Sequence, residues 1–137
     1  MSVETLREPE RWPVKEQASG SFIATITDDL GIMLPGSLLT LLHLTVYVIR
    51  TNGVVTIVNS RDHQNVLNVN NVQVFDVLQS LPDGRTYNLR WRIQPGDTTL
   101  VEALAFESHD FLFEWEWNSG AGKQVGVLVV ENLTVVP

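Results

Sequence analysis

Among the residues of this 137-residue sequence that could do chemistry, Glu107 and His109 are the two best placed to act together. In an extended strand, side chains two positions apart lie on the same face, so we expect a hydrogen-bonded pair. A carboxylate that orients an imidazole can support general acid–base catalysis, but the sequence has no serine in a nucleophile elbow and no cysteine. An enzyme would need a further acid or serine in the same cleft. We interpret the pair as structural and predict no catalytic residues.

The other histidines and the turn acids do not form a ligand pattern. They are His43, His63, Asp28, Asp29 and Asp83. A zinc site needs three or four converging ligands and calcium needs six or more oxygens, and no loop here has such spacing. We therefore expect no metal and no cofactor. Asp97, which follows a Pro-Gly pair, is expected to accept backbone N–H bonds at a corner of the fold.

Three tryptophans could form an aromatic platform for a sugar: Trp91, Trp115 and Trp117. Their alternating positions are also what a buried strand requires, and aromatic side chains contribute large apolar areas to protein cores. We interpret Trp91 and Trp115 as core residues. Trp117, close to the end of its strand, remains a candidate for contact with a partner.

The element that must position these residues is the stretch 111–117, FLFEWEW. Its four aromatic residues occupy every second position, so in a strand they share one face while Glu114 and Glu116 lie on the other. A helix would instead spread the aromatic residues around its surface. The pattern predicts a central strand of a β-sandwich.

Similar alternation predicts strands over residues 38–50, 87–93 and 124–135, and Asn52-Gly53 is a strong hairpin signal. In 87–93 the apolar positions are expected to face the core, and Asn88, Arg90 and Arg92 to face solvent. Seven or eight short strands separated by turns, with no long helix, predict a single immunoglobulin-like β-sandwich over residues 21–137. The valines near the end of the chain make the last strand a candidate sheet edge.

Composition excludes several classes of function. The net charge is −7, which disfavours binding to nucleic acid or to an anionic membrane surface. The absence of cysteine excludes a disulfide scaffold. The charged N-terminal residues do not resemble a signal peptide, and the longest apolar run is too short for a transmembrane helix. We expect a protein made in the cytoplasm, with no nucleic-acid or membrane partner.

Residues 1–20 differ from the rest of the chain. They are charged, contain two prolines and show no steady apolar period. They predict an extended or partly helical arm that is either disordered or docked on a neighbouring subunit. Trp12 favours docking, because a large aromatic residue in a polar segment is a plausible anchor.

Several stretches of the domain resemble a known family. They are ATITDD at 24–29, IVNSR at 57–61, QNVLN at 64–68, ESH at 107–109, LFEW at 112–115 and VENL at 130–133. These are similar to small virion-associated proteins of tailed bacteriophages and prophages that have immunoglobulin-like β-sandwiches. The resemblance covers most of residues 21–137 but not the arm. Residues 79–85 depart from it, because they predict a longer loop between strands.

The resemblance implies a structural part of the virion, either a capsid decoration protein or a component of the head–tail junction. Its partners would be major capsid, connector or tail proteins, and it would be oligomeric in the assembled particle. An alternative is a tail, baseplate or fibre-associated module that contacts a host-surface glycan. The candidate partner-binding residues lie in the arm, at the end of the aromatic strand and at the C-terminus: Leu6, Trp12, Val14, Trp117, Val135 and Val136.

Overall fold

The computed structural model describes residues 20–132 and the backbone of residues 10–15. The strands in these residues are β1 (Glu10–Lys15), β2 (Gly20–Ala24), β3 (Leu39–Ile49), β4 (Val55–Ile57), β5 (Gln64–Asn65), β6 (Val72–Ser80), β7 (Thr86–Ile93), β8 (Phe106–Trp117) and β9 (Gly120–Glu131). Short 3₁₀ turns cover Gly36–Leu38 and Pro95–Thr98. No helix in this part of the chain is long and apolar enough to cross a membrane.

The strands form two sheets. Sheet A has the order β1-β9-β8-β3-β4, with β5 also paired to β3, and sheet B has the order β2-β7-β6. The pairs are antiparallel except for β1 and β9, which are parallel. The predicted all-β sandwich is therefore confirmed. The described residues contain nine strands, whereas seven or eight were expected. The additional strand is β1, which lies within the segment 1–20 that was predicted to be an arm.

Aromatic rings from both sheets meet in the core. Phe22 of β2 lies 4.9 Å from Phe111 of β8 between ring centroids, and Trp91 of β7 lies 5.8 Å from Phe113. Phe111, Phe113 and Trp115 are almost completely buried, whereas Glu114 and Glu116 lie on the outer face of sheet A. The prediction that the aromatic face of 111–117 builds the core is confirmed. Edge-to-face aromatic contacts of this kind add to the stabilisation from apolar burial.

The last strand is not a sheet edge. β9 lies between β8 and β1, so both of its backbone edges are paired over much of its length. The expectation of an edge at this strand was wrong, because β1 pairs alongside it. Pro13 within β1 suits the outermost position, since a proline cannot donate a ladder hydrogen bond.

The connection between β6 and β7 also differs from the prediction. A long loop was expected over residues 79–85, but β6 continues to Ser80 and a short turn follows. Leu81 N donates to Arg85 O at 2.8 Å, and Gly84 has a φ of 91°. Residues 75–78 of β6 form an irregularity within the β6–β7 ladder, because the register shifts between Val74 and Gln79.

Asn88 is a further correction. It was expected to face solvent, but it is completely buried. The Asn88 side chain accepts a hydrogen bond from Ile26 N at 2.8 Å and donates one to Leu34 O at 2.7 Å. The segment after β2 therefore covers this part of the outer face of β7, and Asn88 fixes that segment in place.

Candidate functional site

The predicted pair of Glu107 and His109 is present and buried. His109 Nε2 donates to Glu107 Oε1 at 2.7 Å, and Nδ1 donates to Asp97 O at 2.8 Å. Glu107 also accepts backbone hydrogen bonds from Val101 N at 2.6 Å and from Glu102 N at 2.7 Å. The pair thus ties the segment between Asp97 and Glu102 to β8. His109 has 0% exposure, so no reactant has access to it in this arrangement.

The environment of Glu107 favours its charged form. Burial opposes ionisation, but the hydrogen bonds from Val101 N, Glu102 N and His109 outweigh it, and the pKa of Glu107 lies below its ordinary value. A buried carboxylate with this many donors stabilises a loop. It does not need a substrate to complete its hydrogen bonding.

A second buried polar cluster surrounds Asp97. Arg61 Nε lies 2.6 Å from Asp97 Oδ1, and the two side chains are 1% and 0% exposed. Arg61 also donates to Gln64 Oε1 and Gln94 Oε1, and its guanidinium lies 5.6 Å from the ring centroid of Trp91. Asp97 accepts from Gln94 N at 2.8 Å, so its expected role as a corner acid is confirmed. Arg61 was not predicted as its partner.

The outer face of sheet A carries a groove of about 360 Å³. We call it the β8 groove and define it by five polar residues: His43, His63, Glu114, Glu116 and Lys123. Strand register places His43, Glu114 and Lys123 in one row across β3, β8 and β9. His63 lies over the row from the loop before β5, with Nε2 at 3.5 Å from Glu114 Oε1.

The chemistry available in the β8 groove is the binding of hydrogen-bond donors. Within the described residues, no three histidine or acidic side chains are arranged to hold a metal ion. Glu114 Oε1 is a buried atom that accepts no hydrogen bond from those residues. Glu116 is exposed beside it on the same face. Carboxylates of this kind can accept hydrogen bonds from a donor-rich cation that enters the groove.

Next to the groove, the same outer face is apolar. We call this surface the apolar band and define it by seven residues: Tyr47, Ile49, Val55, Ile57, Leu112, Val125 and Val127. Tyr47 pairs with Ile57, Ile49 with Val55 and Leu112 with Val125, whereas Val127 pairs with Asp110. Ile49 and Val55 are 56% and 57% exposed. The outer face of a solvated antiparallel sheet is usually polar, so this composition requires an explanation.

One acid lies within the apolar band. Asp110 stands between Tyr47 and Val127 in the register of the sheet. Burial raises the pKa of the Asp110 carboxyl, although the nearby His109 partly opposes the shift. Burial, together with the charge of Asp110, also raises the pKa of Tyr47. Both shifts indicate that water is partly excluded from the centre of the band.

Of the predicted partner-binding residues, the structure describes the side chain of Trp117 and the backbones of Trp12 and Val14. Trp117 is half-buried and packs against the core. Trp12 and Val14 belong to β1, where their backbones align with Leu128 and Val130. Leu6, Val135 and Val136 lie outside the described residues. The glycan-binding hypothesis stays a prediction.

Sequence reasoning missed the apolar band, although a signal was present. Residues 54–58, VVTIV, include apolar side chains that a strand would place on both faces of the sheet. In β3, Tyr47 and Ile49 lie on the face opposite to the one that carries the core residues. Apolar side chains on both faces of strands at the outside of a sandwich indicate a surface that another molecule covers.

No protein-family model, no curated protein and no solved structure matches this chain.

Proposed function

We propose that this chain is a structural subunit of a tailed-phage virion, a capsid decoration or head–tail junction component that binds neighbouring virion proteins. The assignment to a virion rests on the sequence resemblance given above. The observation that carries a role in assembly is the apolar band on the outer face of sheet A.

The apolar band suits a protein neighbour better than a small ligand. It spans β4, β3, β8 and β9 and is a sheet surface, whereas small-molecule sites are concave. Ile49 and Val55 are more than half exposed, and Ile57 and Val125 are 38% and 37% exposed. Each such side chain gains about 1.5–3 kcal/mol on full burial, so covering several of them supports stable attachment.

Strand edges offer a second mode of attachment. β4 is the last strand in the order of sheet A, and its Val55 and Ile57 belong to the band. An extended segment of a neighbour can add to such an edge through backbone hydrogen bonds while its side chains contact the adjacent face. In the arm proposed over residues 1–20, the residues outside β1 would make the same kind of contact with a neighbouring subunit.

The test is quantitative mass spectrometry of gradient-purified particles from the phage or prophage that encodes the chain. We expect the chain at a fixed molar ratio to the major capsid protein. The double variant Val55→Lys/Ile57→Lys should remain folded by circular dichroism and be lost from the particles. Leu30→Lys is the matched control, because Leu30 is 79% exposed but lies in a turn outside the band.

Absence of the wild-type chain from purified particles would overturn the virion assignment. Normal incorporation of a folded Val55→Lys/Ile57→Lys protein would overturn the role of the apolar band.

A further inference from the structure

We infer that copies of this chain bind one another head to tail, with Arg90 and Arg92 of one copy contacting Glu114 and Glu116 of the next. The inference rests on the proposed assembly role and specifies one of its contacts. The partner is a second copy of this chain, and its contact surface is the β8 groove.

Arg90 and Arg92 stand on the outer face of sheet B. Within the described residues, neither guanidinium takes part in a hydrogen bond or an ion pair. Arg61 is paired with Asp97, and Arg85 with Asp83 at 2.8 Å, whereas Lys123 on sheet A is also without an ion pair among the described residues. In a chain with 16 acidic and 9 basic residues, two unpaired arginines side by side are unexpected.

The surroundings of the two arginines supply further donors. Ser21 pairs with Arg92, and Gln73 with Arg90, in the registers of β2 and β6 with β7. Two clefts of about 260 and 470 Å³ share Asn71 and both arginines, and no acid among the described residues lines either cleft. The surface is therefore built to receive an anion.

The spacing of the arginines selects the kind of anion. Residues two apart on a strand are separated by roughly 7 Å and point the same way. Each guanidinium can bind one carboxylate through two parallel N–H···O bonds. A pair of carboxylates two positions apart on another strand therefore matches the site. The net charge of −7 makes a nucleic-acid ligand less suitable.

The same chain presents such a pair on its opposite side. Glu114 and Glu116 are two positions apart on the outer face of β8. Glu114 Oε1 accepts no hydrogen bond from the described residues, although His63 Nε2 lies 3.5 Å away, and the neighbouring Glu116 is exposed in the β8 groove. Leu41 lies beside Glu116 in the register, where it can pack against the apolar stem of an arginine.

The arrangement of the two surfaces dictates the symmetry. They lie on the outer faces of different sheets, so one copy cannot bind its partner through the same patch that the partner uses. The contact is heterologous, and repetition gives a ring or an open row. Exposed ion pairs are individually weak, so the contact is weak in solution and strengthens when copies are held next to one another on a particle.

The test is a charge swap followed by sedimentation equilibrium at protein concentrations up to about 1 mM. The variants are Arg90→Glu/Arg92→Glu and Glu114→Arg/Glu116→Arg. Wild type should self-associate, and each variant alone should associate at least about tenfold more weakly. An equimolar mixture should recover the wild-type association, because each reversed surface then meets a surface of opposite charge.

Controls separate the contact from general charge effects. Asp28→Arg/Asp29→Arg changes the net charge by the same amount as the glutamate reversal but lies in a turn. This control variant should self-associate on its own, without being mixed with Arg90→Glu/Arg92→Glu. The neutral variant Arg90→Gln/Arg92→Gln replaces the reversed one if that protein does not fold by circular dichroism, and it should also weaken association.

A wild-type chain that stays monomeric at 1 mM, or a folded mixture that fails to associate, would overturn the head-to-tail contact. Either outcome leaves the particle experiment unaffected, so the two proposals can fail separately. Association of the mixture together with absence of the chain from particles would retain the contact and overturn the virion assignment.

Discussion

The indole of Trp115 lies directly over Gly122 on the neighbouring strand. A Cβ atom at Gly122 would lie 2.7 Å from Trp115 Cε2, closer than real Cβ contacts allow. The two residues are direct partners in the β8–β9 register, and Phe111 is paired with Gly126 in the same way. The core face of β9 therefore carries glycine opposite Trp115 and Phe111, while Gln124 lies opposite Phe113.

This relationship predicts that Gly122→Ala destabilises the protein. The added methyl group forces the Trp115 ring or the β9 backbone to move, and overpacking of this kind costs about 1–3 kcal/mol. Chemical denaturation should show a correspondingly lower free energy of unfolding. Gly20→Ala is the control, because no heavy atom lies within 4 Å of its added Cβ. Equal stability of the two variants would contradict the packing argument.

The buried ion pair of Arg61 and Asp97 gives a second prediction. Arg61→Met leaves the Asp97 carboxylate buried without its cation, which costs about 3–5 kcal/mol of unfolding free energy. Adding Asp97→Asn to that variant removes the buried charge and should restore part of the loss. Thermal melts of the single and double variants measure the difference. Arg85→Met, which breaks an exposed pair with Asp83, should leave the melting temperature unchanged.

A greater loss in the double variant than in Arg61→Met alone would show that Asp97 does not depend on Arg61 for its charge compensation.

The features that sequence predicted well are those with a local period. The alternation in 111–117 identified Phe111, Phe113 and Trp115 as core residues, and the Asn52-Gly53 signal located the β3–β4 turn. Both depend on neighbours within a few positions of the chain. Gly120 and Gly122 belong to β9, and the aromatic residues opposite them in β8 can be identified only once the register is known.

Long-range relationships were not accessible to the same reasoning. Asn88 has the alternation of a solvent-facing residue, and only the covering segment after β2 makes it buried. Arg61 and Asp97 are 36 residues apart and show no spacing that marks them as a pair. The candidate site has the same character, because Glu114 and Glu116 were correctly placed on the outer face, whereas the β8 groove also requires His43 and Lys123 from other strands.

A third prediction concerns the pH dependence of stability through Glu107. Its pKa is lower in the folded state than in the unfolded chain, so its contribution is fully present above the unfolded pKa of about 4.3. The contribution is lost as the pH falls through the folded pKa. Glu107→Gln should be less stable than wild type at pH 7, because an amide nitrogen cannot accept from Val101 N or Glu102 N.

The difference in unfolding free energy between wild type and Glu107→Gln should shrink as the pH falls below about 5, as measured by urea denaturation across pH. Asp29→Asn, at an exposed turn position, is the control for the loss of one negative charge. A difference that stays constant from pH 7 to pH 3.5 would refute the assignment of the charged form to Glu107.

The ionisation of Asp110 should destabilise the protein, whereas the ionisation of Glu107 stabilises it. Burial raises its pKa in the folded state, so the folded protein binds this proton more readily than the unfolded chain. Asp110 therefore lowers stability as the pH rises through the unfolded pKa of about 3.9 towards the folded pKa, and the penalty is constant above it. Asp110→Asn removes the charge from the apolar band and should be more stable than wild type at pH 7.

The gain from Asp110→Asn should diminish as the pH falls towards 4, because the wild-type carboxyl is then increasingly protonated. Urea denaturation between pH 4 and pH 7 measures it, and Glu116→Gln supplies an equal charge change at an exposed position on the same face of β8. A gain of equal size in both variants would mean that the overall negative charge, and not the partly desolvated site between Tyr47 and Val127, is responsible. A loss of stability in Asp110→Asn at pH 7 would show that the Asp110 carboxylate stabilises the fold, which would contradict the raised pKa.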